Sequence, residues 1–417
     1  MCVGEVSHDV WLSRLFDHLQ KERYQCQVVR HRMAVARRFL AHLKRHDTHV
    51  ERAQGSDLAR YVRCERQRYH RRHHHCPASE ATWRRSHTGA LHMLLRLVHG
   101  VWPSSPRLSS TIDRFQATLI QGYTTWMQDR RGLAIETQND RCAEARRFLE
   151  WLGPQSTGSR LRGLGAPVLD AYVKSRAPAV RRVTLRDITI RLRDFLRYLH
   201  ATGRTSRDLS VVIVGPRVYG DEGIPSILQA EDVVRVLDVT RADHSALGRR
   251  DYAILMLLAR YGLRAGEVTA LRLEDVDWRH ERLRIHHAKT GAHSELPLRS
   301  DVGDAIVSYL QHGRPRVTCR EVFIRSRAPY RPLRSGSSLY GPIRRRLETA
   351  GVTLAGKKGP HTFRHARAVT LLRAAIPVKQ IGDILGHRSA DSTAVYLKLA
   401  TTDLRAVGLD IPTEVTT

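Results

Sequence analysis

The chain has 417 residues, which is too long for one ordinary domain and predicts two or three. Hydrophobic residues make up 41% of it, enough to bury a core in each domain. A formal net charge of +29 favours a polyanionic partner, because each Lys or Arg beside a phosphate releases condensed counterions. A general solubility device and a membrane-surface protein are the alternatives. Nucleic acid is favoured because the Arg residues are spread over the whole length rather than collected in a tail.

Nothing in the sequence indicates secretion or insertion into a membrane. The opening Met-Cys-Val-Gly leads into polar residues, without the apolar segment of a signal peptide. The longest apolar runs, such as 253–259, are far shorter than the ~20 residues that span a bilayer. The six cysteines include no Cys-x-x-Cys pair, which is typical of free thiols in a reducing compartment. We therefore expect a cytoplasmic protein without a membrane partner.

The first segment, residues 1–102, is predicted to be helical. Apolar residues recur at helical spacing around 10–19 and 35–43, and a third helix is expected over 86–99. Two prolines with serines between them, within 103–106, then end the pattern.

The second segment, residues 107–214, repeats this plan. The pentapeptide Ala-Arg-Arg-Phe-Leu occurs at 36–40 and again at 145–149. Weaker likenesses join 57–62 to 169–173 and 95–99 to 196–200. Three likenesses in the same order favour a duplicated helical domain, although Arg-rich amphipathic helices also resemble one another by chance.

The third segment, residues 221–417, follows a Gly- and Pro-containing linker at 215–225 and is predicted to be mixed. An apolar helix is expected over 251–261. Short strands are expected at 276–278, 283–287 and 295–298, and helices from about 302 onward. The fold class is therefore mainly α: two helical N-terminal domains, then a mixed α+β domain with a small antiparallel sheet.

Several residues of the third segment could carry chemistry at a phosphate. In Gly-Leu-Arg-Ala-Gly-Glu (262–267), Glu267 is placed to hold the guanidinium of Arg264, although a surface ion pair would look the same. Lys289 lies in the turn between two strands, where a solvated lysine is the ordinary interpretation. His361 and Arg364 follow a Pro at a helix start, near N–H groups suited to an anion.

Two further residues complete this set. His387 follows Leu-Gly, which is unusual for a core histidine. Tyr396 follows N-cap candidates between 389 and 392, and alone it would be interpreted as a packing residue. A His-rich tract, 70–76, could bind a metal, but its ligands are too crowded for a usual zinc site, and a solvated basic loop over DNA is favoured.

Taken together, these motifs resemble the catalytic domain of the tyrosine recombinases, also called phage integrases. The resemblance covers roughly 220–400 and rests on six positions in order: Arg264, Lys289, His361, Arg364, His387 and Tyr396. Residues 107–214 are similar to the helical core-binding domain of that family. Residues 1–102 look like a second copy of that domain or a divergent arm-type domain.

The resemblance implies a site-specific DNA recombinase, an integrase or transposase, in which Tyr396 attacks a DNA phosphate and forms a 3′-phosphotyrosine. Arg264 and Arg364 would stabilise the phosphoryl transition state, with His387 as a further donor. Lys289 would protonate the leaving 5′ oxygen, and His361 would assist proton transfer at the tyrosine. Glu267 would support Arg264. No metal and no other cofactor are implied.

The family also implies the partners: double-stranded DNA at a specific site and further copies of the chain in a synaptic tetramer, with accessory recombinases as an additional candidate. Two alternative functions remain open at this point. A type IB topoisomerase-like enzyme would share the nicking and closing chemistry, and a DNA-binding protein without catalysis would share the charge.

Overall fold

The computed structural model describes residues 7–102, 110–218, 228–287, 291, 293–354, 356 and 358–386. In this part of the chain there are sixteen α-helices and one three-stranded antiparallel sheet, which confirms the predicted fold class. Contacts divide the chain into two units: Met1–Ser104 together with Ile224–Thr417, and Ser105–Gly223. The finer division into domains at 1–102, 107–214 and 221–417 stays a prediction. None of the helices within the described ranges is long and apolar enough to cross a membrane.

The N-terminal segment forms a four-helix bundle with a core of its own. Its helices are α1 (His8–Lys21), α2 (Cys26–Arg45), α3 (Gly55–His73) and α4 (Glu80–His99). The sequence predicted three helices and missed α3, because that helix buries only three of its 19 residues.

The second unit is also a helical bundle around its own core. Its helices are α5 (Thr111–Arg131), α6 (Ile135–Leu152), α7 (Gly158–Arg162), α8 (Ala166–Arg176) and α9 (Arg182–Ala201). Ser110 caps the start of α5 by accepting from the backbone N–H of Asp113, whose carboxylate accepts from Ser110 in return.

The two bundles share a buried aromatic pair at matching places. Phe39 on α2 meets Tyr61 on α3 edge-on, with ring centroids 5.3 Å apart at 75°. Phe148 on α6 meets Tyr172 on α8 in the same way, at 5.0 Å and 69°. Phe39 and Phe148 occupy the same position of the repeated pentapeptide.

A buried carboxylate lies beside each aromatic pair. In the N-terminal bundle, Glu65 on α3 pairs with Arg38 on α2 at 3.1 Å. In the second unit, Glu144 on α6 pairs with Arg176 on α8 at 3.5 Å. In each bundle an ion pair therefore joins the two helices that carry the aromatic pair. The carboxylate is on the later of these helices in the N-terminal bundle and on the earlier one in the second unit.

The C-terminal half packs its elements around α11, whose residues 253–258 are all buried. Its helices are α10 (Ala230–Arg241), α11 (Ala246–Tyr261), α12 (Ala265–Ala270), α13 (Ser300–His312), α14 (Tyr340–Thr349), α15 (Pro360–Arg373) and α16 (Val378–Leu385). The sheet has the order β1 (Val276–Asp277), β2 (Arg282–His286) and β3 (His293–Pro297). Leu283 and Ile285 of β2 point into the core.

Candidate active site

The first arginine of the site lies at the junction of α11 and α12. Helix α11 ends because Gly262 adopts a left-handed conformation, with φ of +66°. Arg264 is then the N-cap of α12, and its backbone N–H donates to Oε2 of Glu267 at 2.8 Å. The guanidinium Nη1 of Arg264 donates to Oε1 of the same carboxylate, also at 2.8 Å. The predicted contact between Arg264 and Glu267 is thus present and fixes the direction of the guanidinium.

The second arginine, Arg364, is on the first turns of α15. This helix begins with Pro360 at its first position, as the sequence predicted. The side chain of Arg364 is buried, and its Nη1 donates to the carbonyl of Gly262 at 2.8 Å. Its Nη2 donates to the carbonyl of Leu385 at 2.5 Å, at the end of α16.

The two arginines converge on neighbouring carbonyls. Nη2 of Arg264 donates to the carbonyl of Gly386 at 2.6 Å, one residue beyond the acceptor of Arg364. Because two guanidinium groups meet at the end of one helix, three stretches far apart in sequence form a single site. Glu267 and Arg364 both line a small cavity at this site.

A histidine that the sequence analysis did not select completes this cluster. His287 directly follows β2, and its Nδ1 lies 2.8 Å from Oε1 of Glu267. Its Nε2 lies 2.7 Å from Oγ of Ser294 on β3. Every second residue of β2 is buried, and this alternation continued to position 287 gives a polar residue at an inward-facing position. That signal, two residues before Lys289, could have identified His287.

The charge of Glu267 is maintained despite its burial. Burial raises the pKa of this carboxyl group, but hydrogen bonds from the Arg264 backbone, His287 and the Arg264 guanidinium outweigh it. The net effect lowers the pKa of Glu267 below its ordinary value. An ionised Glu267 therefore holds Arg264 at neutral pH.

Two histidines lie on one side of α15. His361 is exposed on the first turn, and the ring of His365 lies 6.3 Å from it between centroids. Burial, with the nearby His361 and Arg364, lowers the pKa of His365 to about 4. His365 is therefore neutral at physiological pH, beside a histidine that reaches solvent.

Comparison with known proteins identifies the family. Residues 226–402 match the model described as the phage integrase family. The integrase/recombinase y4gC of Sinorhizobium fredii is 56% identical over 189 residues, which are 45% of this chain and 97% of that protein. The chain belongs to the phage integrase family. It is a tyrosine-type site-specific recombinase.

More distant proteins agree with this assignment. The tyrosine recombinase XerC of Mycobacterium leprae is 26% identical over 261 residues, 61% of this recombinase and 85% of XerC. The crystal structure of a lambda integrase tetramer bound to a Holliday junction has the same fold, with a TM-score of 0.52 and 16% identity. That match covers 74% of the recombinase and 86% of the integrase. None of these three proteins favours a topoisomerase or a non-catalytic DNA-binding protein.

The structure of the recombinase places part of the predicted site. Arg264, Glu267 and Arg364 come together through direct contacts or shared carbonyls, and His361 lies three residues before Arg364 on α15. Lys289, His387 and Tyr396 lie outside the described residues. The roles of all these residues in the reaction stay predictions.

The alternative of a metal site in the recombinase concerned the His-rich tract at 70–76, all of which is described. His73 ends α3, and His74 caps it in a left-handed conformation with φ of +56°. Within the described ranges, no group of three or more His, Cys, Asp and Glu side chains could hold a metal ion.

Proposed function

We propose that this recombinase cuts and rejoins double-stranded DNA through a covalent bond between Tyr396 and a 3′ phosphate. The observation that carries the proposal is the convergence of Arg264 and Arg364 on the carbonyls of Gly386 and Leu385. These are the two residues directly before His387 in the sequence. The two arginines assigned to the phosphate thus meet at the residues that directly precede His387 in the sequence.

In the first step, the phenolic oxygen of Tyr396 attacks the phosphorus, and the bond from phosphorus to the 5′ oxygen breaks. Lys289 gives a proton to the departing 5′ oxygen, while His361 assists removal of the proton of the tyrosine. In the second step, a 5′ hydroxyl of another strand attacks the phosphotyrosine and releases Tyr396. The phosphodiester bond energy is kept in the intermediate, so the reaction consumes no ATP.

The arginines act on the charge that develops in the transition state. Donors that are fixed in advance stabilise the non-bridging oxygens without having to reorganise. Arg264 uses two of its five guanidinium N–H groups on Glu267 and Gly386, so donors remain for a phosphate. Arg364 is nearly enclosed, and its charge acts through a medium of low polarity.

The proposed partners are a DNA duplex with a specific site and further copies of the chain. The lambda integrase of similar fold was solved as a tetramer on a Holliday junction. The net charge of +29 is that of a protein which neutralises many phosphates. We propose the same arrangement, a tetramer on two duplexes, for this recombinase. Accessory recombinases are proposed as further partners.

The two helical bundles are proposed to be copies of one DNA-binding domain. The aromatic pair and the ion pair between the same two helices support this, as does the repeated pentapeptide. Both bundles are also basic: residues 7–102 contain 19 Lys and Arg against 8 Asp and Glu, and residues 110–218 contain 19 against 10.

The decisive experiment traps the covalent intermediate. A binding site is first selected from a random-sequence duplex library, and the recombinase is then incubated with a nicked duplex of that site, from which the cleaved strand end diffuses away. We expect a protein–DNA adduct that survives denaturation. Tyr396→Phe should abolish the adduct while DNA affinity stays within about twofold.

Two outcomes would contradict the proposal. An adduct that persists in Tyr396→Phe would place the nucleophile elsewhere, and the absence of any adduct with intact DNA binding would remove the catalytic claim. Transfer of a labelled strand to a second duplex distinguishes a recombinase from an enzyme that only nicks and closes. EDTA should leave the adduct yield unchanged.

A further inference from the structure

A basic cleft lies in the first unit, where the N-terminal bundle meets a segment of the C-terminal half. Its volume is about 770 Å³. None of the Asp and Glu residues that the structure describes lines it. Six basic side chains do, three from each wall: His18, Arg32 and Arg96 from the bundle, and Arg325, Arg331 and Arg334 from the C-terminal half.

Direct contacts hold the two walls together. Arg331 pairs with Glu22 at the end of α1, with 2.9 Å between Nη2 and Oε1. Arg23 donates from Nη1 to the carbonyl of Arg316 at 2.9 Å. Ala328 packs against the core of the N-terminal bundle. The bundle is therefore built onto the C-terminal half, and the cleft is a feature of both.

Most of the positive charge in the cleft is not neutralised by carboxylates. Arg325 and Arg334 are exposed, and their guanidinium groups have no partner among the described residues. Arg96 uses only Nε, on the carbonyl of Trp102 at 3.0 Å. Arg32 lies over the ring of Tyr24, 4.4 Å from its centroid, so it is oriented without being neutralised. Like charges that face one another in a concave site attract an anion.

The segment that forms one wall of the cleft also packs against the start of α12. Ser338 lines the cleft, and two residues earlier Gly336 packs against α12. A Cβ on Gly336 would lie 2.8 Å from Cβ of Ala265 and 2.8 Å from the backbone N of Gly266. Ala265 directly follows Arg264, so the segment that forms one wall of the cleft touches the helix start that carries this arginine.

We propose that this cleft is a track for the DNA backbone beside the catalytic arginines and that the N-terminal bundle forms one of its walls. This role rests on the proposed function. It gives residues 7–102 a part in DNA binding that the cleavage chemistry itself does not require. Guanidinium groups suit phosphate oxygens because their N–H groups pair with them in parallel. The cleft volume of about 770 Å³ exceeds that of a single phosphate group.

The test measures how the affinity for the selected duplex depends on salt. Each phosphate contact that is lost lowers the slope of log K against log salt by about one. We expect Arg325→Ala, Arg334→Ala and Arg96→Ala each to lower it by about that amount. The matched controls are Arg327→Ala, two residues from Arg325, and Arg84→Ala, on the same helix as Arg96. Both control residues are exposed and do not line the cleft.

Equal losses in the cleft variants and the controls would mean a general charge effect and would overturn the proposal. An unchanged slope in all cleft variants would overturn it as well. Arg334→Lys should restore the slope, since it keeps the charge, which separates charge from folding. The covalent adduct on saturating nicked duplex should form in every variant. Loss of that adduct in the wild type would instead contradict the proposed function.

Discussion

The guanidinium of Arg264 donates to the carbonyl oxygen of Gly386, 122 residues further along the chain. Helix α16 ends at Leu385, and the last carbonyls of a helix have no partner within it and carry partial negative charge. Arg264 and Arg364 satisfy two of these carbonyls. Arg264 and Arg364 therefore stabilise the end of the helix from which the chain continues to His387.

Replacing Glu267 by Gln tests the support of Arg264. The amide keeps the size of the side chain but loses the charge that holds Arg264 and faces His287. We expect the rate of adduct formation to fall at least tenfold, because a misdirected donor stabilises the transition state less. DNA affinity should change less than twofold. A normal rate would show that Arg264 needs no orienting carboxylate.

Replacement by alanine should affect stability differently at the two glycines of the Gly-Leu-Arg-Ala-Gly-Glu motif. Gly262 has a positive φ, and a Cβ there would lie 2.7 Å from Cδ2 of Leu385, so Gly262→Ala should cost about 1–3 kcal/mol of stability. Gly266 lies in α12, and a Cβ there would meet nothing within 4 Å. Gly266→Ala should be neutral or stabilise by up to about 1 kcal/mol. Thermal unfolding of the two variants compares them, and equal effects would contradict the role given to Gly262.

Much of the fold could be predicted because its signals are local. Apolar periodicity identified α1, α2 and α11, and proline identified the start of α15. Helix α3 escaped because only two of its 19 residues, Tyr61 and Val62, are buried apolar side chains, too few for a clear periodic pattern. A polar stretch of this kind is equally typical of a loop.

The site was predictable to a different extent. Motif spacing selected Arg264 and Arg364, but it could not show that both donate to the end of α16, since that contact depends on the packing of α15 against α16. His287 escaped because its role is to bridge Glu267 and Ser294, which are on different elements. Asp194 is a similar case in the second unit: on a basic helix it resembles a surface residue, yet it is buried.

Asp194 should be essential for the stability of the second unit. Its carboxylate accepts from the hydroxyl of Tyr123 at 2.9 Å and pairs with Arg131 and Arg141. Asp194→Asn leaves these partners without the charge, and a broken buried pair costs about 3–5 kcal/mol. Hydrogen exchange of α5, α6 and α9 reports the loss.

A matched control for this prediction lies on the same helix. Asp187 on α9 is about half exposed, and its only ion pair with another described residue is with Arg186 at 3.7 Å. Exposed pairs contribute little, so Asp187→Asn should change the stability of the second unit by less than about 1 kcal/mol. If Asp194→Asn were equally mild, the buried cluster would not stabilise the bundle.

His365 should make the C-terminal half less stable in acid. Burial, His361 and Arg364 lower its pKa from 6.5 to about 4. Between these values the unfolded chain binds a proton that the folded chain does not, so the free energy of unfolding decreases as the pH falls from about 6.5 to about 4. Above pH 6.5 both states are neutral, and the histidine adds no pH dependence. The loss from this residue alone is at most about 3 kcal/mol.

Denaturant unfolding of wild type and His365→Gln across this pH range isolates the contribution of His365, because the two proteins share every other histidine. We expect the difference in unfolding free energy between them to shift in favour of the variant as the pH falls, and a constant difference would show that His365 does not titrate between the two states.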